Sequence, residues 1–276
     1  MTNAAVSQSA QVRPFTTPEE MSQCESLYRR VFGLRAEEGS LNARLLVAVA
    51  RNSGIVLGAF AGDELVGFAF SFLAQDPTDG LCYQYSQTAA VLPDWQGCGV
   101  GRQLKLAQRE VALSRGIRRM RWAFDPFKFR NAHFNLDVLG AHGTELARDL
   151  YGAHGYGVDA QSSTHRLIAD WRLDSEPVRL IAGGHPPADL SLPAQVPPVG
   201  AVWREEQGVA LLSVPMSWPG GCERADAAAL EELILVAIES LLRDGLMAVS
   251  CRNFNDEVAV YRFQANDDAV GGQAGP

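Results

Sequence analysis

The sequence predicts an α/β chain of the α+β kind: one larger domain over 11–175, a Pro/Gly-rich connector over 176–200 and a small C-terminal α/β lobe over 201–265. Three observations carry this. Two apolar runs, Ile55–Phe60 and Leu65–Leu73, flank Ala61-Gly62-Asp63-Glu64, the pattern of a hairpin. A strand-like run from Leu81 to Leu92 stops at Pro93 and passes through a loop spaced by Gly97, Gly99 and Gly101. Val100, Leu104, Ala107 and Val111 then recur at helical spacing, with Arg102, Lys105 and Arg109 expected on the other faces. Finally, six prolines (177, 186, 187, 193, 197 and 198) with Gly183-Gly184 read as an extended connector, after which strand and helix patterns resume.

The remaining elements follow in order. Val12–Phe15 is a short strand. Thr17-Pro18-Glu19-Glu20 starts a helix, because Thr caps the first N–H groups, Pro is pre-set for the first turn and the acids meet the positive end of the dipole. Met21, Cys24, Leu27, Tyr28, Val31 and Phe32 form its apolar stripe, and Gly33 stops it. A second helix is expected from Leu41 to Arg51, a strand over Ile117–Phe124, a short helix within 127–140 ending at Gly140, and a strand over Thr164–Trp171. In the lobe, Gly208–Pro215 reads as a strand and Ala225–Arg243 as a helix with Leu230, Leu233, Ile234, Ala237 and Leu241 on one face. Leu246–Arg252 and Glu257–Phe263 form a hairpin, and residues 1–10 and 266–276 are expected to be disordered tails.

Composition narrows the function. A net charge of −8 argues against a general nucleic-acid binder. Yet between Arg102 and Arg130 nine basic residues face only two acidic ones, a basic island suited to a small polyanion. No apolar run approaches the roughly 18–20 residues of a membrane span, and the N-terminus lacks a signal-peptide layout. The five cysteines show neither C-x-x-C nor metal spacing, so free thiols in a reducing cytoplasm and no metal site are expected.

Glycines at a strand-to-helix turn let bare N–H groups face outward at the positive end of a helix, which makes a pyrophosphate cradle. The spacing selects among cradles. A P-loop needs Gly-Lys-Ser/Thr, and here Arg102 and Gln103 follow Gly101; G-x-G-x-x-G fails from Gly97 and from Gly99 alike. Gln96-x-x-Gly99-x-Gly101 does fit, and it resembles the Q/R-x-x-G-x-G/A signature of the GNAT (GCN5-related N-acetyltransferase) superfamily. The element order from Val12 to Leu173 is similar to the GNAT core, which implies a mixed, mostly antiparallel central sheet flanked by helices. The run 125–140 (Asp-Pro-x-x-x-Arg-Asn-Ala-His-Phe-Asn-x-x-x-Leu-Gly) resembles a GNAT subgroup with an extra C-terminal portion, some of whose members are associated with N-succinylamino acid racemases. The lobe, with its Gly220-Gly221 loop, echoes the second half of such a core; a companion lobe and a sheet extension or dimerisation arm, with a homodimer, both stay open.

The resemblance implies direct attack of an amine on acetyl-CoA or another acyl-CoA, without an acyl-enzyme. CoA would be held by Gln96, Gly97, Cys98, Gly99, Val100, Gly101 and Arg102, with Asn131 and Phe134 on the pantetheine side and the Val91 N–H polarising the thioester carbonyl. Tyr85 stands where related enzymes place a glutamate base, and Leu136 where many place a tyrosine acid. Tyr85, Gln87, His133 and Tyr151 are the candidate catalytic residues, although a tyrosine with a reference pKa of about 10 is a poor base at neutral pH. His133 reads equally as a partly buried, locally bonded histidine, and Tyr151 as a core aromatic. The acceptor implied is a small-molecule amine or amino acid, with neither nucleic acid nor membrane as partner. A catalytically silent acyl-CoA-binding module and a protein N-acetyltransferase are the alternatives.

Overall fold

The computed structural model describes residues 9–35, 38, 41–152, 163–187, 190–217 and 224–265. The chain divides into two compact units, Met1–Arg121 with His154–Ser163 and Trp122–Ala153 with Thr164–Pro276. The division falls inside a strand, whereas composition placed a boundary at 176–200. Both units combine mostly antiparallel sheet with flanking helices, the α/β class expected. The tail over 266–276, most of the tail over 1–10 and the Gly220-Gly221 loop lie outside the described residues.

In the first unit β1 (Gln11–Pro14), β2 (Ile55–Ala61), β3 (Glu64–Gln75) and β4 (Cys82–Val91) pair antiparallel in sequence order. The β2–β3 turn carries Gly62 at φ 61°, a left-handed conformation that glycine adopts without a Cβ penalty. Strand β5 (Arg119–Phe124) begins in this unit and pairs parallel to β4 at Gln84↔Met120 and Tyr85↔Arg121, which makes the sheet mixed. Helix α1 (Pro18–Phe32) starts as its sequence dictates: the Glu20 N–H donates to Thr17 Oγ1 at 3.2 Å, and Gly33 closes the helix at φ 62°. Glu20 also accepts from Arg13 and from the Thr16 N–H, and these bonds, Arg13's first, hold its carboxyl down at about 2. Helix α2 (Ala43–Arg51) begins two residues later than expected, capped by Asn42. Helix α3 (Val100–Ser114) buries Val100, Leu104 and Ala112, but also Lys105, Gln108 and Arg109. The buried stripe therefore includes two basic positions that the sequence placed elsewhere.

In the second unit α4 (Phe129–His133) runs into a π-helical turn over Phe134–Val138, and Gly140 ends the stretch at φ 71°. Two strands were missed by the sequence. The first, β6 (His142–Ala147), pairs antiparallel with β7 (Arg166–Arg172) and, at Gly143, with Ala248 of β10 (Leu246–Asn253). Its polar, glycine-containing sequence has no strand signature. A Cβ at Gly143 would lie 2.6 Å from Leu167 and 3.1 Å from Ala248, so the glycine serves close strand approach. The second is β8 (Val202–Arg204), only three residues long. Past β10 the sheet continues through β11 (Val258–Ala265) and β9 (Ala210–Pro215) to β8, so the C-terminal strands extend the sheet from β6.

Two further expectations change here. Glu176–Ala182 forms helix α5 inside the predicted connector, with Pro177 in its first turn and Val178 and Ile181 buried. On α6 (Arg224–Arg243) Ile234, Leu235, Ile238 and Leu241 are buried while Leu233 is 52% exposed, a face turned by about one residue from that predicted. Trp171 anchors the core: fully buried, it donates from Nε1 to the Leu139 carbonyl at 2.8 Å and meets Trp122 edge to face at 5.9 Å. No helix among the described residues is long and apolar enough to cross a membrane.

Candidate functional site: an anion cradle at the start of α3

The cradle is built by local chemistry. Pro93 turns the chain out of β4 into a single 3-10 turn (Pro93–Trp95) whose Trp95 is buried, with Trp95 N–H donating to Leu92 O at 2.9 Å. Gln96 then folds back, its Nε2 donating to Val91 O at 2.9 Å, which latches the loop to the strand it has left. Gly97 and Gly99 sit at φ 76° and 85°. Gly99 caps α3, accepting the first helical bond from Gln103 N–H at 3.0 Å. A Cβ on either glycine would meet no atom of the described residues within 4 Å, so among them the space over the loop is open to an anion while the backbone conformation disfavours any side chain. Cys98 is exposed, its Sγ within 3.7 Å of Gln96 O. Val100 is buried and Gly101 and Arg102 are half-buried.

Upstream, β4 presents the other candidates of this unit. Leu92 N–H donates to Val66 O of β3 at 2.9 Å. Successive N–H groups of a strand alternate sides, so the Val91 N–H points away from β3. The β3–β4 register shifts between Phe70↔Thr88 and Ser71↔Ser86, which makes Gln87 the bulged residue, and it is exposed. Tyr85 is half-buried, with its ring 5.4 Å from that of Phe72.

Much of the basic island has structural work. Arg119 donates to Asp76 at 2.8 Å, with Arg121 3.9 Å from the same carboxylate, and both lie over Tyr83. Arg115 donates to Ser53 O and Gly54 O, each at 3.1 Å, and Arg109 pairs with Glu110.

In the second unit His133 is held as a locally bonded histidine. Its Nδ1 lies 2.9 Å from Cys251 O and 3.2 Å from Asp137 Oδ2, its ring stacks on Phe129, and Asp137 raises its pKa. Asp137 is buried and also accepts from Ser250 Oγ at 2.7 Å, Cys251 N–H at 2.8 Å and Arg252 Nε at 2.9 Å. Asn131 is exposed and accepts from Asn135 Nδ2 at 3.2 Å, while Asn135 accepts from the Trp122 indole at 3.1 Å. Phe134 is half-buried and Leu136 is buried. Tyr151 is no core aromatic: it is 48% exposed, with Arg166 over its ring.

With this geometry in view, the match to known proteins falls on the same elements. Residues 20–134 match the model of the Acetyltransferase (GNAT) family. The match runs from within α1 through α4, cradle included. No curated protein matches the chain. Among solved structures, Naa50 of Arabidopsis thaliana bound to a CoA-Ac-MVNAL bisubstrate analogue is 15% identical, covering 59% of this chain and 97% of its own at a TM-score of 0.47. Naa20 of Chaetomium thermophilum with a bisubstrate analogue is likewise 15% identical over 59% of this chain and 86% of its own, at 0.49. YncA, a putative acetyltransferase of Salmonella typhimurium with acetyl-CoA, is 18% identical over 60% and 95%, at 0.45.

The sequence reading missed the buried polar side chains under β4, namely Lys105, Gln108 and Ser86. A signal existed: Gly101, Lys105, Gln108 and Ala112 share the i, i+4, i+7, i+11 spacing of one helix face.

Proposed function

We propose that this protein is an acyl-CoA-dependent N-acyltransferase, moving an acetyl or other acyl group to the amine of a small molecule or amino acid by direct attack. The observation that supports it most is the cradle: two glycines in the left-handed region, open space above both, and the N-terminus of a 15-residue helix behind them. Four or so unsatisfied N–H groups and the positive end of the dipole suit a pyrophosphate there. CoA supplies the thioester and a tolerable thiolate leaving group.

The chain's own residues divide the tasks. The N–H groups from Gly97 to Arg102 bind phosphate oxygens, and the Gln96 latch, with its own N–H on Pro93 O, fixes their direction. The Val91 N–H, on the side of β4 away from β3, orients and polarises the acyl carbonyl; an oriented donor of this kind is worth on the order of 3 kcal/mol. Tyr85 and the bulged Gln87 handle the amine proton through their polar ends. Asn131, Phe134, His133 and Tyr151 carry forward as candidates to be tried by substitution.

Gly99→Ala tests the cradle. The Cβ meets no atom of the described residues, so the fold survives with a strain penalty of about 1–2 kcal/mol. Acetyl-CoA affinity measured by calorimetry should fall about tenfold or more, because roughly 1.4 kcal/mol of lost phosphate contact is already a factor of ten. Unchanged affinity would place CoA elsewhere. Tyr85→Phe tests the proton path, with an expected drop in kcat of about 10²-fold and an unchanged acetyl-CoA dissociation constant. Binding of acetyl-CoA without turnover of any amine would instead favour a silent acyl-CoA-binding module, the reading suggested by a tyrosine where a carboxylate base is expected.

A further inference from the structure

Beneath β4, on the side packed by α3, lies a polar cluster that acyl transfer as set out above does not use. Lys105 is 3% exposed, Ser86 4% and Gln108 0%. Lys105 Nζ donates to Ser86 Oγ at 2.8 Å, and the Ser86 hydroxyl donates to Gln108 Oε1 at 3.2 Å. Among the described residues, Gln108 Nε2 is buried without a hydrogen-bond partner. Ser86 itself sits between Tyr85 and the bulged Gln87.

An ammonium only donates, whereas a neutral amine donates and accepts. With Lys105 charged, the chain runs from Lys105 to Ser86 to Gln108. With the proton gone, the Ser86 hydroxyl can turn and donate to the Nζ lone pair. The Gln108 amide, flipped, then donates from Nε2 to Ser86 Oγ, and its Oε1 takes the buried place that Nε2 had held. These two bonds then reverse direction, and Ser86 Oγ loses the charge-assisted bond by which the ammonium pins it beside the bulge. Burial disfavours the charged form and pushes Lys105 down to about 7, so both directions are populated near neutrality. The strands that α3 packs on bring Arg13 of β1, Glu64 of β3, and Cys82, Tyr83 and Tyr85 of β4 as their titratable side chains, and β2 brings none. Helix α3 itself adds Arg102, Arg109 and Glu110.

We propose that Lys105, acting through Ser86, is a positioning residue for acyl transfer: in its charged form it holds the β4 bulge so that Tyr85 and Gln87 are presented to the reacting groups. This rests on the acyltransferase reading. Its signature is a kcat that falls as pH rises through neutrality, opposite in sense to the rise caused by deprotonating an amine acceptor or a tyrosine base.

The test follows the backbone amides of Tyr85, Ser86 and Gln87 and the Lys105 Cε signal by NMR against pH, with acetyl-CoA binding measured by calorimetry. In the wild type, amides and Cε should share one inflection near neutrality. Ser86→Ala should leave the lysine titrating but uncouple the amides, and Lys105→Met should remove the inflection. In a screen of primary amines and amino acids, the falling limb of kcat should vanish in both variants while acetyl-CoA affinity is kept. Acetyl-CoA binding with amides that do not titrate, or that titrate alike in Lys105→Met, overturns the assignment alone. Absence of acetyl-CoA binding in the wild type overturns the acyltransferase reading and the assignment together.

Discussion

Lys105→Met should stabilise the protein at neutral and mildly acidic pH, and the gain should shrink steadily as pH rises. A lysine has a pKa of about 10.4 in an unfolded chain, whereas burial between α3 and β4 brings Lys105 to about 7. Between those values the unfolded chain holds a proton that the folded one does not, so stability increases with pH. Below the folded value the penalty is present in full, of order 5 kcal/mol at about 1.4 kcal/mol per unit. Methionine fills much of the same volume without a charge but loses the bond to Ser86, which costs about 1–2 kcal/mol. The net gain near pH 6 should therefore be about 3–4 kcal/mol, from urea melts fitted at a common slope. Only the difference between wild type and variant isolates the lysine. Burial raises Cys24 to about 12, and that thiol works the other way, lowering stability as pH climbs past the unfolded thiol value. A gap that stays constant between about pH 6 and 10 would mean that Lys105 keeps an ordinary pKa.

Asp137→Ala should cost the second unit about 3–5 kcal/mol, the range for removing one partner of a buried charged pair. Its carboxylate gathers Ser250, the Cys251 N–H, Arg252 and His133, tying the π-helical turn to β10. Burial alone would raise its pKa, but the hydrogen bonds of His133, Arg252, the Cys251 N–H and Ser250 outweigh burial and hold it down. The sign follows: this stabilisation is present above about pH 4 and is lost as pH falls through the lower folded value. His133 runs in the opposite sense. Its hydrogen bond to Asp137 raises its pKa, so its contribution is complete below about pH 6.5 and fades as pH rises through the folded value. Asp137→Asn should therefore flatten both limbs of a Tm–pH curve measured from about pH 3 to 8. Retention of the acid limb would mean that other carboxylates carry it.

The two predictions differ in how far they could be seen in advance. Lys105 was placed on an outer face of α3 because charge counts as exposure in a pattern reading, although its spacing from Gly101, Gln108 and Ala112 marks a second buried stripe. Asp137 gave no signal at all. Apart from His133 its partners lie more than a hundred residues away on β10, and nothing local distinguishes a carboxylate that closes a turn onto a distant strand from one in solvent. Strand β6 was invisible for a related reason. His142–Ala147 is polar and short, and its pairing with β7 and β10 is supplied by neighbours, not by its own alternation.

What the sequence determined by itself is the part encoded within a few residues. Thr17 caps α1 and Gly33 ends it, the Ala61–Glu64 turn joins two strands, and Gln96, Gly97 and Gly99 build the cradle, because caps, turns and positive φ angles are short-range chemistry. The tertiary structure decided the rest. It buried Lys105 under β4, bonded His133 to Asp137, exposed Tyr151, and ran the C-terminal strands onto β6 as one sheet instead of a detached lobe. Burial and strand pairing depend on which distant surfaces meet, and that is set by the packing of whole elements.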